Sequence, residues 1–120
     1  MINKDAYVFK QNLKGNWTPL DVFGTPMIVG EIILYATGGG SGGIDWRVGK
    51  IVEIIDKPDP YRPRYNIKKM KMKRAVKGYN HAKGSIWELQ ERCAYLSNVE
   101  NAFVLTHPSP EIAALFKDVT

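Results

Sequence analysis

The chain has 120 residues, 44% hydrophobic and 24% charged, with a formal net charge of +5. That is one domain with an ordinary globular core, and it excludes a wholly disordered chain and a fibrous repeat. No apolar run approaches the roughly 18 residues of a membrane helix, no basic-then-apolar leader is read at the N-terminus, and a single cysteine, Cys93, excludes an intramolecular disulfide and a cysteine-based zinc site. The expected setting is a reducing, cytoplasmic compartment with no membrane association.

Residues 1–26 read as an N-terminal extension. Ala6-Tyr7-Val8-Phe9 suits a short strand, Lys14-Gly15-Asn16 a turn, and Thr18-Pro19 and Thr25-Pro26 prevent a long helix. Met27 to Thr37 alternates as a strand. Ile28, Gly30, Ile32, Leu34 and Ala36 share one face, and Val29, Glu31, Ile33 and Tyr35 share the other. Both faces are mostly apolar, so this strand is expected to be covered on both sides. The run from Gly38 to Gly43 holds five glycines in six residues. It cannot order on its own and is expected to be a flexible hairpin tip, the alternative being a tip that orders on contact with a partner or groove.

Ile44 to Ile55 is the second strand of that hairpin. Ile44, Trp46, Val48, Val52 and Ile54 share parity, and Gly49 is the expected bulge or tight bend. Three prolines between Asp56 and Pro63 make a stiff loop that presents Tyr61, Arg62 and Arg64. Tyr65 to Lys77 then reads as a long strand. Met70, Met72 and Val76 lie on one face, with Arg74 as the exception, and Lys69, Lys71, Lys73 and Lys77 lie on the other.

After the loop from Gly78 to Gly84, residues 85–96 carry two patterns. Ser85-Ile86-Trp87-Glu88 fits a helical capping box, with Ile86, Leu89, Cys93 and Leu96 at helical spacing. Trp87, Leu89, Cys93 and Tyr95 alternate as a strand would. A strand is preferred, because it would pair the lysine strand's open edge. A tight or 3₁₀ turn at 98–101, a short strand from Ala102 to Thr106, and a helix follow. Ser109 is the N-cap, Pro110 sits at N1 and Glu111 in the first turn. Ile112, Leu115, Phe116 and Val119 form its apolar face. At about 10 residues it must dock on the body of the protein or on a partner.

The charge is segregated. Between Pro60 and Trp87 there are nine bases, Arg62, Arg64, Lys68, Lys69, Lys71, Lys73, Arg74, Lys77 and Lys83, and no acid. The remainder has eight of the 17 bases against 12 acids, a net of −4. Same-face lysines on a strand repeat about every 6.7 Å, on the scale of successive phosphates along one nucleic-acid strand. Tyr61, Tyr65 and Tyr79 flank this ladder, and rings beside cations are what single-strand platforms use for stacking. The competing reading is a solvated lysine-rich edge strand that blocks sheet-to-sheet aggregation.

Enzymatic signatures are absent. The glycine run is followed by alternating Ile44-Asp45-Trp46-Arg47-Val48 and not by the helix that a phosphate loop requires. Nothing brings His81 or His107 to Cys93, which is expected to be a small core residue. The pairs Asp56/Asp59 and Glu88/Glu91 imply no polar pocket. No cofactor or metal is expected. Trp46, Trp87, Met70 and Met72 are expected in the core.

The residues of Val29–Ala36, Arg47-Val48-Gly49-Lys50-Ile51-Val52-Glu53-Ile54 and Asn98–Leu105 resemble the SH3-like small β-barrels, and Val48-Gly49-Lys50-Ile51-Val52 resembles the core strand of KOW- and Tudor-type members. The long glycine loop departs from the KOW spacing. The resemblance implies a binding module for nucleic acid or short peptides. The small basic chain also resembles phage-encoded accessory proteins, which would place it in the host cytoplasm.

The expectation is a mainly β protein: an SH3-like barrel of about five antiparallel strands over residues 27–106, and a C-terminal helix within 107–120. The expected function is non-enzymatic, low-specificity binding of DNA or RNA through Tyr61, Arg62, Arg64, Tyr65, Lys69, Lys71, Lys73, Lys77, Tyr79 and Lys83. The alternatives are an interaction or inhibitor module for an acidic protein surface or peptide, and a structural subunit of a larger assembly.

Overall fold

The computed structural model describes residues 17–38, 43–82, 84–97 and 101–119. The strand expected at 6–9, the turn at 14–16, residues 39–42 of the glycine run and residues 98–100 of the turn at 98–101 lie outside them. Five strands run in chain order: β1 (Ile32–Gly38), β2 (Ile44–Pro58), β3 (Asn66–Asn80), β4 (Gly84–Leu96) and β5 (Ala102–Val104). One helix, α1 (Pro110–Leu115), follows. The strands form one antiparallel sheet in the order β4-β3-β2-β1-β5, so the protein is mainly β as expected.

Residues 84–96 are a strand. Tertiary pairing overrides the local capping-box signal, because Lys77 pairs with Trp87 and Lys71 with Tyr95 along β3. β3 is therefore bonded on both sides, to β2 and to β4. The reading of the lysine strand as a solvated edge is thus overturned: β3 lies in the interior of the sheet.

Alternation on these strands gives the sheet two unlike faces. On the apolar face, Ile33, Tyr35, Ile51, Met70 and Met72 are fully or almost fully buried, together with Met27 and Ala102. Trp17, Ile54, Leu96 and Val104 complete this core. On the lysine face, Val48 and Ala75 are buried beneath Phe116, with Ile112, Leu115 and Val119 packed around it. α1 has the expected Ser109 cap, whose Oγ accepts from the Ile112 amide at 3.3 Å, but only six residues are helical. So short a helix holds because Phe116 is buried on the sheet.

Several local expectations change. β1 begins at Ile32 and not at Met27, because Gly30 takes φ +97°, which turns the chain at 28–31. The bulge in β2 lies between Ile51 and Glu53, not at Gly49. Gly49 serves close packing instead: a Cβ there would sit 3.1 Å from Met72 Sδ and 3.3 Å from Met72 Cβ. Trp46 remains 49% exposed, so it is not a core residue. Cys93 is exposed on β4 and does not fill the core.

The free edge of β5 is closed by the segment before β1. Val22 N–H donates to the Ala102 carbonyl at 2.8 Å. Asp21, 7% exposed, gathers three amides: Phe23 at 2.9 Å and Thr25 at 2.8 Å on Oδ1, and Val104 at 2.9 Å on Oδ2. Burial alone would push this carboxyl up. The hydrogen bonds from Val104, Thr25 and Phe23 outweigh it and hold the group below 3.8. A depressed carboxyl contributes stability that is complete above its unfolded value and disappears as pH falls through the folded one. Asp21→Ala should therefore cost about 2–3 kcal/mol at neutral pH. In denaturant titrations, the gap between variant and wild type should narrow once the pH drops below 3.8.

Candidate nucleic-acid interface

β3 carries Lys69, Lys71, Lys73, Ala75 and Lys77 on one face, and its methionines are fully buried on the other. The four lysines do share a face, but their environments differ. Lys73 Nζ donates to the Glu91 carbonyl at 2.5 Å, where β4 runs out of register with β3. Lys69 Nζ lies 4.5 Å from the centre of the Tyr95 ring, and Lys77 Nζ 5.8 Å from that of Trp87. Lys71 faces Tyr95 on one side and Glu53 on the other.

The ladder is interrupted at Ala75. Phe116 covers this position, and Lys50, opposite Lys73 on β2, reaches up to the helix. Its Nζ donates to the carbonyls of Val119 at 2.5 Å and Phe116 at 3.4 Å. A cation at the carboxyl end of a helix complements the helix dipole and satisfies carbonyls that lack intrahelical partners. The basic face is thereby divided into two ends. Lys69 and Lys77, eight residues apart, are separated by roughly 26 Å along the strand.

The first end is the richer one. The β2–β3 turn presents Tyr61, 93% exposed, with Arg62, Arg64 and a half-exposed Tyr65. Asp59 shapes this turn: its Oδ1 accepts from the Tyr61 amide at 2.8 Å, and its Oδ2 lies 3.9 Å from Arg62 Nε. Lys57, Lys69 and Lys71 follow on the same face, beside Tyr95. The acids close by are Asp59 and Glu53. At the second end stand Lys77, Trp87 and Trp46. Tyr79 pairs with Ser85 there, 14 residues from Tyr65 and about 45 Å along the strand. The Tyr79 side chain and Lys83 lie outside the described residues.

Lys69 and Lys71 share a face with Tyr95 at the end of β3 that follows the turn, and Tyr61, Arg62, Arg64 and Tyr65 are exposed on the turn itself, whereas Lys77 and Tyr79 stand at the other end of β3 and Lys73 is engaged with the Glu91 carbonyl. Tyr95 and Lys57 belong with the first group and were not singled out from the sequence. The alternation of Trp87, Leu89, Cys93 and Tyr95 carried the signal for Tyr95, once β4 is paired to β3. Among the described residues, no three His, Cys, Asp or Glu side chains cluster as metal ligands, and no helix is long and apolar enough to cross a membrane. No protein-family model, curated protein or solved structure matches the chain.

Lys50 fastens the helix that divides the basic face. Lys50→Met should leave the Phe116 and Val119 carbonyls without their cation. Amide exchange in residues 112–119 should then quicken about tenfold while β3 amides keep their protection.

Proposed function

We propose that the protein is a non-enzymatic module that binds single-stranded nucleic acid, with little sequence preference, at the end of the sheet formed by the β2–β3 turn. The observation that carries this reading is the row of Lys57, Lys69 and Lys71 beside exposed Tyr95 at the end of the sheet where the β2–β3 turn exposes Tyr61, Arg62, Arg64 and Tyr65. Aromatic rings offer stacking to bases of any identity, and the surrounding cations neutralise phosphates. A base stacking on Tyr95 would displace the Lys69 ammonium towards its own phosphate. The rigid proline turn holds Tyr61 and Arg62 with little entropy left to lose. The meander from β1 to β4, with β5 returning to β1, supports an SH3-like arrangement. That arrangement suits a binding module without choosing its ligand.

A second reading, a protein-interaction module, has its own observation at the far end. Val22, Phe23, Ile44 and Trp46 are each about half exposed or more, and Phe103 lies 6.0 Å from Phe23 and 6.1 Å from Trp46 between ring centres. A groove of about 280 Å³ runs between Val22, Ala36, Ile44, Trp46 and Phe103. A stoichiometric partner that stays bound after nuclease treatment would favour this reading over the first.

Fluorescence titration of labelled oligonucleotides across a salt series tests the nucleic-acid reading. The logarithm of affinity should fall linearly with the logarithm of salt. Replacing Lys69 and Lys71 together by Ala should reduce the slope by about 1.4 for a single strand. Tyr95→Ala or Tyr61→Ala should each cost about 1–3 kcal/mol. Lys77→Ala should leave binding nearly unchanged. Absence of binding at low salt, or equal losses from Lys77→Ala and the double variant, would contradict the reading.

A further inference from the structure

The apolar face holds a second cationic group that the lysines do not touch. Tyr35 pairs with Arg47 across β1 and β2, and Arg47 pairs with Val76 on β3. Arg74, two residues before Val76, projects from the same face as Tyr35 and Arg47 and opposes Gly49. Tyr35 is only 2% exposed, and its hydroxyl proton has no acceptor: the polar groups beside it, Arg74 and Arg47, can only donate. The Nε groups of Arg47 and Arg74 are also buried without partners. Three donors on two adjacent guanidinium groups and a phenol are thus left unmet. Buried donors of this kind are rare in folded proteins and call for an explanation.

Carboxylates do not supply it. Asp45 reaches only Arg47 Nη2, at 3.6 Å, from an exposed position. Glu88 stands in the same row, opposite Val76, but is exposed and makes no ion pair within 4.0 Å among the described residues. Arg74 has no carboxylate at that distance among them either. Burial raises the Tyr35 hydroxyl above 10.0, more than the Arg74 charge, a hydrogen bond from Arg74 and the Arg47 charge together lower it. The phenol therefore keeps its proton at physiological pH and remains a donor.

We propose that Tyr35, Arg47 and Arg74 form an oxyanion site that takes a phosphoryl group, as free phosphate or as a phosphomonoester. The Nε–Nη edge of each arginine offers a two-pronged donor that matches a pair of phosphate oxygens. A tetrahedral anion has enough acceptor positions to serve both edges and the phenol at once. Arg47 is one-quarter exposed and Arg74 is partly exposed, so both side chains reach solvent. The site lies on the opposite face of the sheet from Lys69 and Lys71 and is independent of the nucleic-acid surface.

The test is titration of the full chain with inorganic phosphate and, separately, with adenosine monophosphate, at an ionic strength held constant with sodium chloride. The readout is the Nε–H resonances of Arg47 and Arg74. Saturable one-to-one shifts are expected. Saturation by inorganic phosphate assigns the site to the free ion, and saturation by the nucleotide alone assigns it to a phosphomonoester. Tyr35→Phe keeps the packed ring and removes only the unmet hydroxyl. It should fold as the wild type does and bind roughly tenfold more weakly. Arg74→Gln should weaken binding at least as much, and the Lys69/Lys71 double variant should bind like the wild type. Absence of a saturable shift with either ligand, or undiminished affinity in Tyr35→Phe, would overturn the proposal. So would loss of binding in the lysine variant alone.

Discussion

The pairing of β3 on both edges is the constraint on which the rest of this structure depends. A strand bonded to β2 and β4 cannot turn about its axis, so its side chains are committed to two faces. Met70 and Met72 then fill one core, and the lysines must stand on the other face. A register slip of one residue would bury four ammonium groups and expose both methionines. The fully buried methionines therefore set the basic surface as firmly as the lysines themselves do.

The same constraint explains why the lysine face is not a uniform ladder. Ala75 is the one small residue in the row, and it leaves room for Phe116 to descend onto Val48. The helix that carries Phe116 is too short to persist alone, and Lys50 closes its carboxyl end. One lysine of the sheet is thus spent on structure, and a second, Lys73, holds the β4 irregularity through the Glu91 carbonyl. Of the others, Lys69 and Lys71 stand near the β2–β3 turn and Lys77 at the opposite end. At the turn the prolines and Asp59 order Tyr61 and Arg62, and Tyr95 brings an aromatic ring into the lysine row. On the reverse face, Arg74 breaks the apolar alternation of β3 and meets Tyr35 and Arg47.

Much of this was legible in the sequence. Alternation located β2 and β3 and separated Met70 and Met72 from the lysines, and Ser109-Pro110-Glu111 marked the start of the helix. Other features depend on contacts between distant residues. Gly30 looks like an alternating strand position until its positive φ turns the chain. Gly49 looks like a bulge, whereas its role is to admit Met72, and the true bulge falls beside it. Trp46 has core parity but lies towards the end of β2 that follows the glycine tip, where too little chain covers it. Cys93 shares the parity of Ala75, but it lies on an edge strand outside the ground that Phe116 shields. The functional group of residues was half visible for the same reason. Lys69, Lys71 and Tyr61 are close in sequence, whereas Tyr95 joins them only through the β3–β4 register. Tyr79 lies beside Lys77 at the opposite end of β3 from Lys69 and Lys71.

The most direct measurement is hydrogen exchange along β3, residue by residue. A strand bonded on both sides protects consecutive amides, because successive N–H groups point to opposite neighbours and both neighbours are present. Amides in 70–73 and 75–76, which are paired to β2 and β4 alike, should all be protected to a similar degree. Fast exchange at every second amide in these segments would mean that one edge of β3 is open. The lysines would then belong to a solvated edge strand, and neither the basic surface nor the Tyr35 cluster would be held as described.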